Sequence, residues 1–266
     1  MGALPPFRRI RRAAGSLAPS PLLLASEPPR AGLDLAALVA ASPFLATAPR
    51  GDGHPVLVIP GLLTGDPSTV LLRNALRALG HEVSGWSLGL NRGPTGQVVS
   101  ELRATLERLH RESGQKVTLV GWSLGGLYAQ ELARATPGSV RRLVTLGSPV
   151  LRRTGWMKDA SRLVDRATHL APLAAQLPRP WVEPGPLRVP ATSVYTRADG
   201  VVHWRVCRFR PGPRRESIEV RGSHFGLAHN PAVLWVVADR LAQPEDSWTP
   251  FQAPLALRPL FPRRRR

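Results

Sequence analysis

One serine stands between two glycines where an apolar, strand-like run gives way to a helix-like one. In "KVTLVGWSLGGLYAQELAR" (116–134), Ser123 is the centre of a G-x-S-x-G motif with Gly121 and Gly125. A serine hydroxyl is a weak nucleophile at neutral pH, so it needs a general base and a pocket for negative charge. A sharp strand-to-helix turn would expose its oxygen, and the two glycines would let strand and helix pack closely. The motif therefore predicts a nucleophile at Ser123.

Two other interpretations of this stretch stay open at the level of the motif. A glycine-rich strand–helix turn could use Ser123 only as a helix cap. A phosphate-binding loop would look similar, but its lysine is absent here. The apolar strand before the serine and the amphipathic helix after it favour the nucleophile.

An acyl-transfer site also needs donors for a developing oxyanion. The backbone N–H of Leu124 would lie at a helix N-terminus, where negative charge is favoured. A second donor is expected in the loop "IPGLLTGDPST" (59–69), where Gly61 allows close approach and Leu62 N–H is the candidate. The alternative for this loop is a plain Pro-Gly turn.

The general base and its acidic partner are sought downstream of the serine. Asp199 ends the predicted strand segment "ATSVYTRAD" (191–199), and His224 ends "SIEVRGSH" (217–224). The order Ser, Asp, His, each at the end of a strand, predicts a catalytic triad of Ser123, Asp199 and His224.

Three residues compete for these two roles. His203 is close in sequence to Asp199, and His229 lies at the start of the last predicted helix. Glu219 is the alternative acid, but it falls inside the strand before His224, whereas the acid normally follows an earlier strand.

These side chains are placed by an alternation of strands and helices that begins near residue 54. Gly and Pro bound most of the segments, and strands separated by helix-length stretches predict a parallel sheet. The predicted strands are 55–60, 81–88, 116–122, 140–149, 191–199 and 217–224, and the predicted helices are 67–80, 96–114, 124 to about 135 and 231–243. The fold class is therefore α/β, with about six mainly parallel strands.

From about Pro55 to Gln243 the chain resembles the α/β-hydrolase superfamily of serine esterases and lipases, and looks closest to small bacterial lipase-like members. The resemblance is carried by 121–126, by Asp199-Gly200 and by Ser223-His224. It implies helices on both faces of the sheet and ester hydrolysis through an acyl-enzyme, with Leu62 and Leu124 as oxyanion donors and no metal or cofactor. Pro60 stands where many relatives carry His. An acyltransferase with the same triad is the alternative, followed by a non-enzymatic binding protein.

The residues 150–186 interrupt the strand–helix rhythm after the fourth strand. Their apolar side chains fit a helical lid over a pocket for a lipophilic ester or lipid substrate, and they fit a packed core helix equally well. We expect an N-terminal arm and short helix over 1–50, a hydrolase domain over 51–245 with this lid-like insertion, and a basic tail over 246–266.

The net charge of +18 raises the question of an anionic partner. The basic residues are 34 Arg and 2 Lys, scattered along the chain, and no nucleic-acid-reading motif accompanies them. This argues against nucleic-acid binding and leaves open weak contact of the arginine-rich tail with anionic or membrane surfaces. The single cysteine, Cys207, excludes an internal disulfide and is interpreted as a small apolar residue. The oligomeric state cannot be read from the sequence.

The N-terminal region raises the question of targeting. Residues 1–32 are rich in Pro and Arg and are expected to form a loosely ordered arm, and 33–47 a short, mostly buried helix. Pro19 and Pro21 interrupt the apolar stretch that a secretory signal would need. The run 33–46 is too short for a bilayer and contains Pro43. A cytoplasmic location is therefore expected.

Overall fold

The computed structural model describes residues 19–150 and 186–262, which form one sheet with helices on both of its faces. The four inner strands are buried along their whole length, as expected of a covered parallel sheet, and the two edge strands are partly exposed. The strands are β1 (Pro55–Ile59), β2 (Glu82–Ser84), β3 (Val117–Trp122), β4 (Val140–Leu146), β5 (Ala191–Tyr195) and β6 (Arg215–Glu219). The helices are α1 (Pro21–Ala25), α2 (Glu27–Leu45), α3 (Val70–Ala78), α4 (Gly96–Ser113), α5 (Leu124–Ala135) and α6 (Pro231–Ala242).

The sheet has the order β2-β1-β3-β4-β5-β6, and each neighbouring pair is parallel. In a parallel sheet all carboxyl ends lie at one edge, so the loops after β1, β3, β5 and β6 converge there. The α/β fold class predicted from the sequence is confirmed, and the predicted strands differ from the observed ones mainly in length. The lid-like insertion predicted for 150–186 lies almost wholly outside the described residues.

Alternate residues of the strands supply two hydrophobic cores, one on each face of the sheet. On one face, Val56 and Val58 of β1 pack with the inward sides of α3 and α6. On the other face, Leu57 and Ile59 pack with α4 and α5. These two cores pack against both faces of the sheet that carries the loops at the carboxyl edge.

The N-terminal region differs from the prediction. Residues 21–32, expected to be loosely ordered, are helical, and α2 begins at Glu27 rather than near residue 33. The expectation of a mostly buried helix is wrong: within α2 the buried residues are Glu27 and Asp34, while Leu33 and Val39 are exposed. Polar contacts of Glu27 and Asp34 to distant loops hold this helix together with the packing of Leu38, Phe44 and Leu45 against the core. The polar contacts leave no mark in local hydrophobic periodicity.

The end of the chain continues along the domain. A 3-10 helix spans Leu255–Leu260, and Phe251 packs against the core beside α6. The predicted domain boundaries stay predictions. Among the helices of the described segments, none combines the length and the apolar character needed to cross a membrane.

Candidate active site

The turn between β3 and α5 holds Ser123 in a conformation that few residues adopt. Its φ is 52° and its ψ −119°, outside the helical and extended regions. A Cβ on Gly125 would collide with the carbonyl of Ile59 and lie 2.7 Å from the Pro60 oxygen, and one on Gly121 would lie 2.5 Å from Cα of Gly126. The two glycines are therefore needed for the strand and the helix to meet at this corner.

The loops after β5 and β6 bring an acid and a histidine to the same corner. His224 Nε2 lies 3.1 Å from Ser123 Oγ, and His224 Nδ1 lies 2.7 Å from Asp199 Oδ2. The other oxygen, Oδ1, accepts hydrogen bonds from the N–H groups of Val201 (2.8 Å) and Val202 (2.6 Å). With Nδ1–H donated to the carboxylate, Nε2 is left to accept the serine proton. All three side chains are buried.

The competing residues lie in other hydrogen-bond networks. Glu219 Oε2 accepts from Arg197 Nε at 2.9 Å, at the end of β6. His203 Nδ1 accepts the backbone N–H of Arg205 at 3.3 Å, and His229 Nε2 lies 3.1 Å from the carbonyl oxygen of Ala31. The structure thus brings together Ser123, Asp199 and His224 and leaves the rivals elsewhere.

The loop after β1 passes directly beside the serine. A Cβ built on Gly61 would lie 3.3 Å from Ser123 Cβ, so a glycine keeps this approach open. Within the described chain, the N–H of Leu62 and that of Leu124 donate no hydrogen bond, and Leu124 is the first residue of α5. Free N–H groups at a helix start and in an adjacent loop are the donors that an oxyanion needs.

The model of the family described as "Alpha/beta hydrolase family" matches residues 56–264. This chain belongs to that family. No curated protein of similar sequence was found.

Solved structures of other α/β-hydrolases share the fold at low identity. A Bacillus licheniformis lipase, BlEst2, is 16% identical with a TM-score of 0.54, over 73% of this chain and 94% of that one. A monoacylglycerol lipase from Paleococcus ferrophilus is 16% identical with a TM-score of 0.50, over 73% and 96%. The pyrethroid hydrolase PytH is 18% identical with a TM-score of 0.51, over 73% and 100%. At these identities the likeness shows the shared fold.

This α/β-hydrolase braces its β1 loop with a buried asparagine. Asn91 Nδ2 donates to the carbonyl of Pro60 at 3.0 Å, and its backbone exchanges hydrogen bonds with Leu63 (2.7 Å) and Thr64 (2.8 Å). Tyr128 OH donates to Asn91 Oδ1 at 3.3 Å, and burial raises the pKa of this tyrosine. Sequence reasoning did not identify Asn91, because the Pro60 carbonyl that it binds lies 31 residues earlier in the chain.

Two carboxylates of α2 were missed by sequence reasoning. Glu27 Oε1 accepts the N–H of Gly200 at 2.7 Å, and Oε2 accepts the N–H of Phe225 at 3.0 Å. Gly200 follows Asp199 and Phe225 follows His224, so Glu27 bridges the two loops that carry the acid and the histidine. Its own partner is the Arg30 guanidinium at 2.8 Å.

The second carboxylate, Asp34, binds the loop that carries His224 and the residue just before α6. Its Oδ2 accepts from the backbone N–H (2.9 Å) and the hydroxyl (2.7 Å) of Ser223, and its Oδ1 accepts from Asn230 Nδ2 at 2.7 Å. Both acids lie outside the 56–264 range of the family match. Helix α2 therefore contributes to the site although it is remote from it in sequence.

The described residues contain one group that could hold a metal, and it lies away from the triad. Asp52, His54 and His81 have ligand atoms within 4.8 Å of one another, at the starts of β1 and β2. Burial lowers the pKa of His54 to about 4 and also lowers that of His81, whose two ring nitrogens are buried without hydrogen-bond partners. Burial would raise the pKa of Asp52, but hydrogen bonds from His54 and Arg141 outweigh it and lower that pKa. This group is at the amino edge of the sheet.

Proposed function

We propose that this α/β-hydrolase is a serine esterase or lipase that cleaves carboxylic esters through an acyl-enzyme. Ser123 is the nucleophile, His224 the general base and acid, and Asp199 the residue that orients the imidazole. The observation that carries the proposal is the hydrogen-bonded chain from Ser123 Oγ to His224 Nε2 (3.1 Å) and from Nδ1 to Asp199 Oδ2 (2.7 Å). It stands at a strand–helix turn whose serine has φ of 52°.

Acylation would begin when the Ser123 oxygen attacks the ester carbonyl carbon while His224 Nε2 takes the hydroxyl proton. The C=O π pair moves onto the carbonyl oxygen and makes a tetrahedral oxyanion. When this intermediate collapses, the C–O bond to the alcohol breaks and His224 returns the proton to the departing oxygen. The products of this half are a free alcohol and an acyl ester on Ser123.

Deacylation would use water by the same route. His224 takes a proton from water, the resulting hydroxide attacks the acyl carbon, and the Ser123 oxygen leaves with the proton returned by His224. Asp199 stays ionised throughout and stabilises the imidazolium that forms in each half.

The oxyanion of both halves would be held by the N–H groups of Leu62 and Leu124. Support for these two donors is the close approach of Gly61 to Ser123 and the absence of any hydrogen bond from either N–H across the described segments. Losing one such donor typically costs a factor of about 10² to 10³ in kcat, so the β1 loop must be held firmly. Asn91 does this through its bond to the Pro60 carbonyl.

A fluorophosphonate probe tests the nucleophile directly, because it reacts with activated serines only. We expect labelling of the wild type on the peptide that contains Ser123, none in Ser123→Ala, and strongly slowed labelling in His224→Ala. Ser113→Ala, on the exposed end of α4, is the matched control and should label like the wild type. Equal labelling of wild type and Ser123→Ala would overturn the proposal.

Esters of p-nitrophenol with graded acyl length then test the ester and lipid part of the proposal. Hydrolysis should be abolished by Ser123→Ala for every acyl length. Equal rates at all lengths would count against an apolar acyl pocket. Product analysis with added alcohols separates hydrolysis from acyl transfer: a transferase would yield the new ester as the main product.

A further inference from the structure

Helices α1 and α2 bury or pair their charged side chains and expose several large apolar ones, although Leu38, Phe44 and Leu45 of α2 pack against the core. Surface helices normally expose their charged side chains and bury their apolar ones. The segment 21–45 contains three charged residues, of which Glu27 and Asp34 are buried and Arg30 is paired with Glu27. No residue of this segment that is exposed to solvent carries a charge.

The outward side of this segment carries large apolar side chains, which we call the docking face: Leu22, Leu24, Leu33, Leu35 and Val39. Leu22 is 81% exposed, Leu33 70% and Val39 68%. Single exposed leucines are ordinary on a protein surface, but a charge-free helix surface with several of them marks an interaction site.

The docking face continues to the mouth of the candidate active site. A Cβ on Gly200, the residue after Asp199, would lie 2.5 Å from the backbone of Leu23 in α1. Phe225, the residue after His224, is itself exposed, and its N–H is bound by Glu27 of α2. A surface that covers the docking face would therefore lie beside the triad.

Basic side chains near the docking face indicate the chemistry of its partner. In the loop that follows Gly200, the guanidinium carbons of Arg205 and Arg208 lie 5.1 and 5.8 Å from the ring centre of Trp204, and neither arginine has a carboxylate partner in the described ranges. Leucine, tryptophan and arginine together are typical of segments that lie in a bilayer interface.

We propose that α1 and α2 lie on the surface of an anionic phospholipid bilayer, with the docking face in the acyl–headgroup boundary and Arg205 and Arg208 on the phosphates. A second copy of the chain is a poorer partner, because two chains of net charge +18 repel each other. Vesicle binding is independent of the proposed catalysis. Only the corollary, that substrates are lipid esters taken from the bilayer, rests on the proposed function.

A fluorophore at residue 39 tests the depth of insertion. The single cysteine, Cys207, is fully buried, so Val39→Cys supplies the reactive thiol for an environment-sensitive dye. We expect a blue shift of the dye on vesicles with 30% phosphatidylglycerol. Ala104→Cys, exposed on α4 across the sheet, is the control and should show no shift. Equal spectra with and without vesicles at residue 39 would overturn the proposal.

Vesicle flotation with paired variants tests whether binding requires the docking face or only the attraction between the basic protein and anionic lipids. Leu33→Gln with Val39→Gln should weaken partitioning about tenfold or more, because two apolar side chains would no longer enter the bilayer. The matched pair Val70→Gln with Leu71→Gln, exposed on α3, should bind within about twofold of the wild type.

Two further variants test whether vesicle binding depends on the proposed nucleophile or on the arginine tail. Ser123→Ala should float like the wild type, so a failed hydrolase assignment would leave this result unchanged. Replacing Arg263 to Arg266 by Gln should weaken binding only slightly. Loss of binding in that tail variant, with the Leu33 and Val39 pair unaffected, would overturn the proposal, as would a dimer that the pair converts to a monomer.

Discussion

At the scale of single residues, the hydrogen bonds of Asp199 decide which nitrogen of His224 can accept the serine proton. Asp199 Oδ1 accepts hydrogen bonds from two backbone N–H groups, and Oδ2 lies within hydrogen-bond distance of His224 Nδ1. The imidazole therefore carries its proton on Nδ1 and offers the Nε2 lone pair to Ser123.

Replacing the acid tests this tautomer assignment. Asp199→Asn turns an N–H donor toward His224, which moves the imidazole proton to Nε2, where the ring cannot accept the serine proton. We expect kcat for a p-nitrophenyl ester to fall by a factor of about 10³ to 10⁴ with an unchanged fold. Glu219→Gln, the change at the rival acid, should stay within about twofold. Comparable losses in the two variants would contradict the assignment.

At the scale of elements, α2 acts as a brace across two loops that the sheet alone does not join. Strands β5 and β6 end at neighbouring positions, but the loops that leave them carry Asp199 and His224 on separate pieces of backbone. Glu27 accepts one N–H from each loop, and charge-assisted bonds of this kind are stronger than neutral ones. Glu27 is thus a positioning residue.

Removing this carboxylate should affect turnover more than substrate binding. Glu27→Ala leaves the N–H groups of Gly200 and Phe225 without their acceptor and removes the carboxylate partner of Arg30, so we expect kcat to fall about tenfold or more with KM within about twofold. Glu27→Gln, which keeps one acceptor, should recover part of the loss. Measurements are made below the melting temperature of each variant, monitored by circular dichroism.

The control for the two Glu27 variants is a glutamate that does not contact the loops of Asp199 and His224. Glu112→Ala, at an exposed ion pair with Arg108 on α4, should leave kcat and KM unchanged. A loss in Glu27→Ala that appears in KM alone would show that α2 shapes substrate binding rather than the triad.

At the scale of the whole molecule, the two edges of the sheet have different tasks. The carboxyl edge carries the candidate triad, and the amino edge carries the buried group of Asp52, His54 and His81. Because burial holds the pKa of His54 at about 4, below the ordinary value of 6.5, the unfolded chain binds a proton more readily between these pH values. Lowering the pH therefore destabilises the folded protein through His54, which lies at the amino edge of the sheet.

This linkage predicts how stability changes with pH. The free energy of unfolding should fall as the pH drops from 6.5 to 4, by roughly 3 kcal/mol at most from His54, with His81 adding in the same direction. His81→Phe removes one titrating group and no hydrogen bond, so it should raise stability at pH 5 more than at pH 8. Urea unfolding at the two pH values measures both effects; a variant equally stabilised at both would contradict this origin.

The sequence by itself determined the alternation of strands and helices, the parallel sheet and the corner at Ser123. These features depend on local patterns: apolar runs, helical spacing and glycines at fixed offsets. The family match confirms that fold. The order of Ser123, Asp199 and His224 along the chain suggested their meeting, because parallel strands place their carboxyl ends at one edge.

Only the tertiary structure decided which side of α2 faces inward, which residue braces the β1 loop, and that two edges of the sheet differ. Asp34 and Asn91 make contacts with residues far away in the chain, Asp34 with Ser223 and Asn91 with Pro60. Residues 33–47 were expected to form a mostly buried helix, and this was wrong because Leu33, Leu35 and Val39 stay exposed. Buried hydrogen bonds to loops anchor this helix together with the packing of Leu38, Phe44 and Leu45 against the core. Such bonds form between groups that no local pattern brings together, so they appear only once the chain has folded.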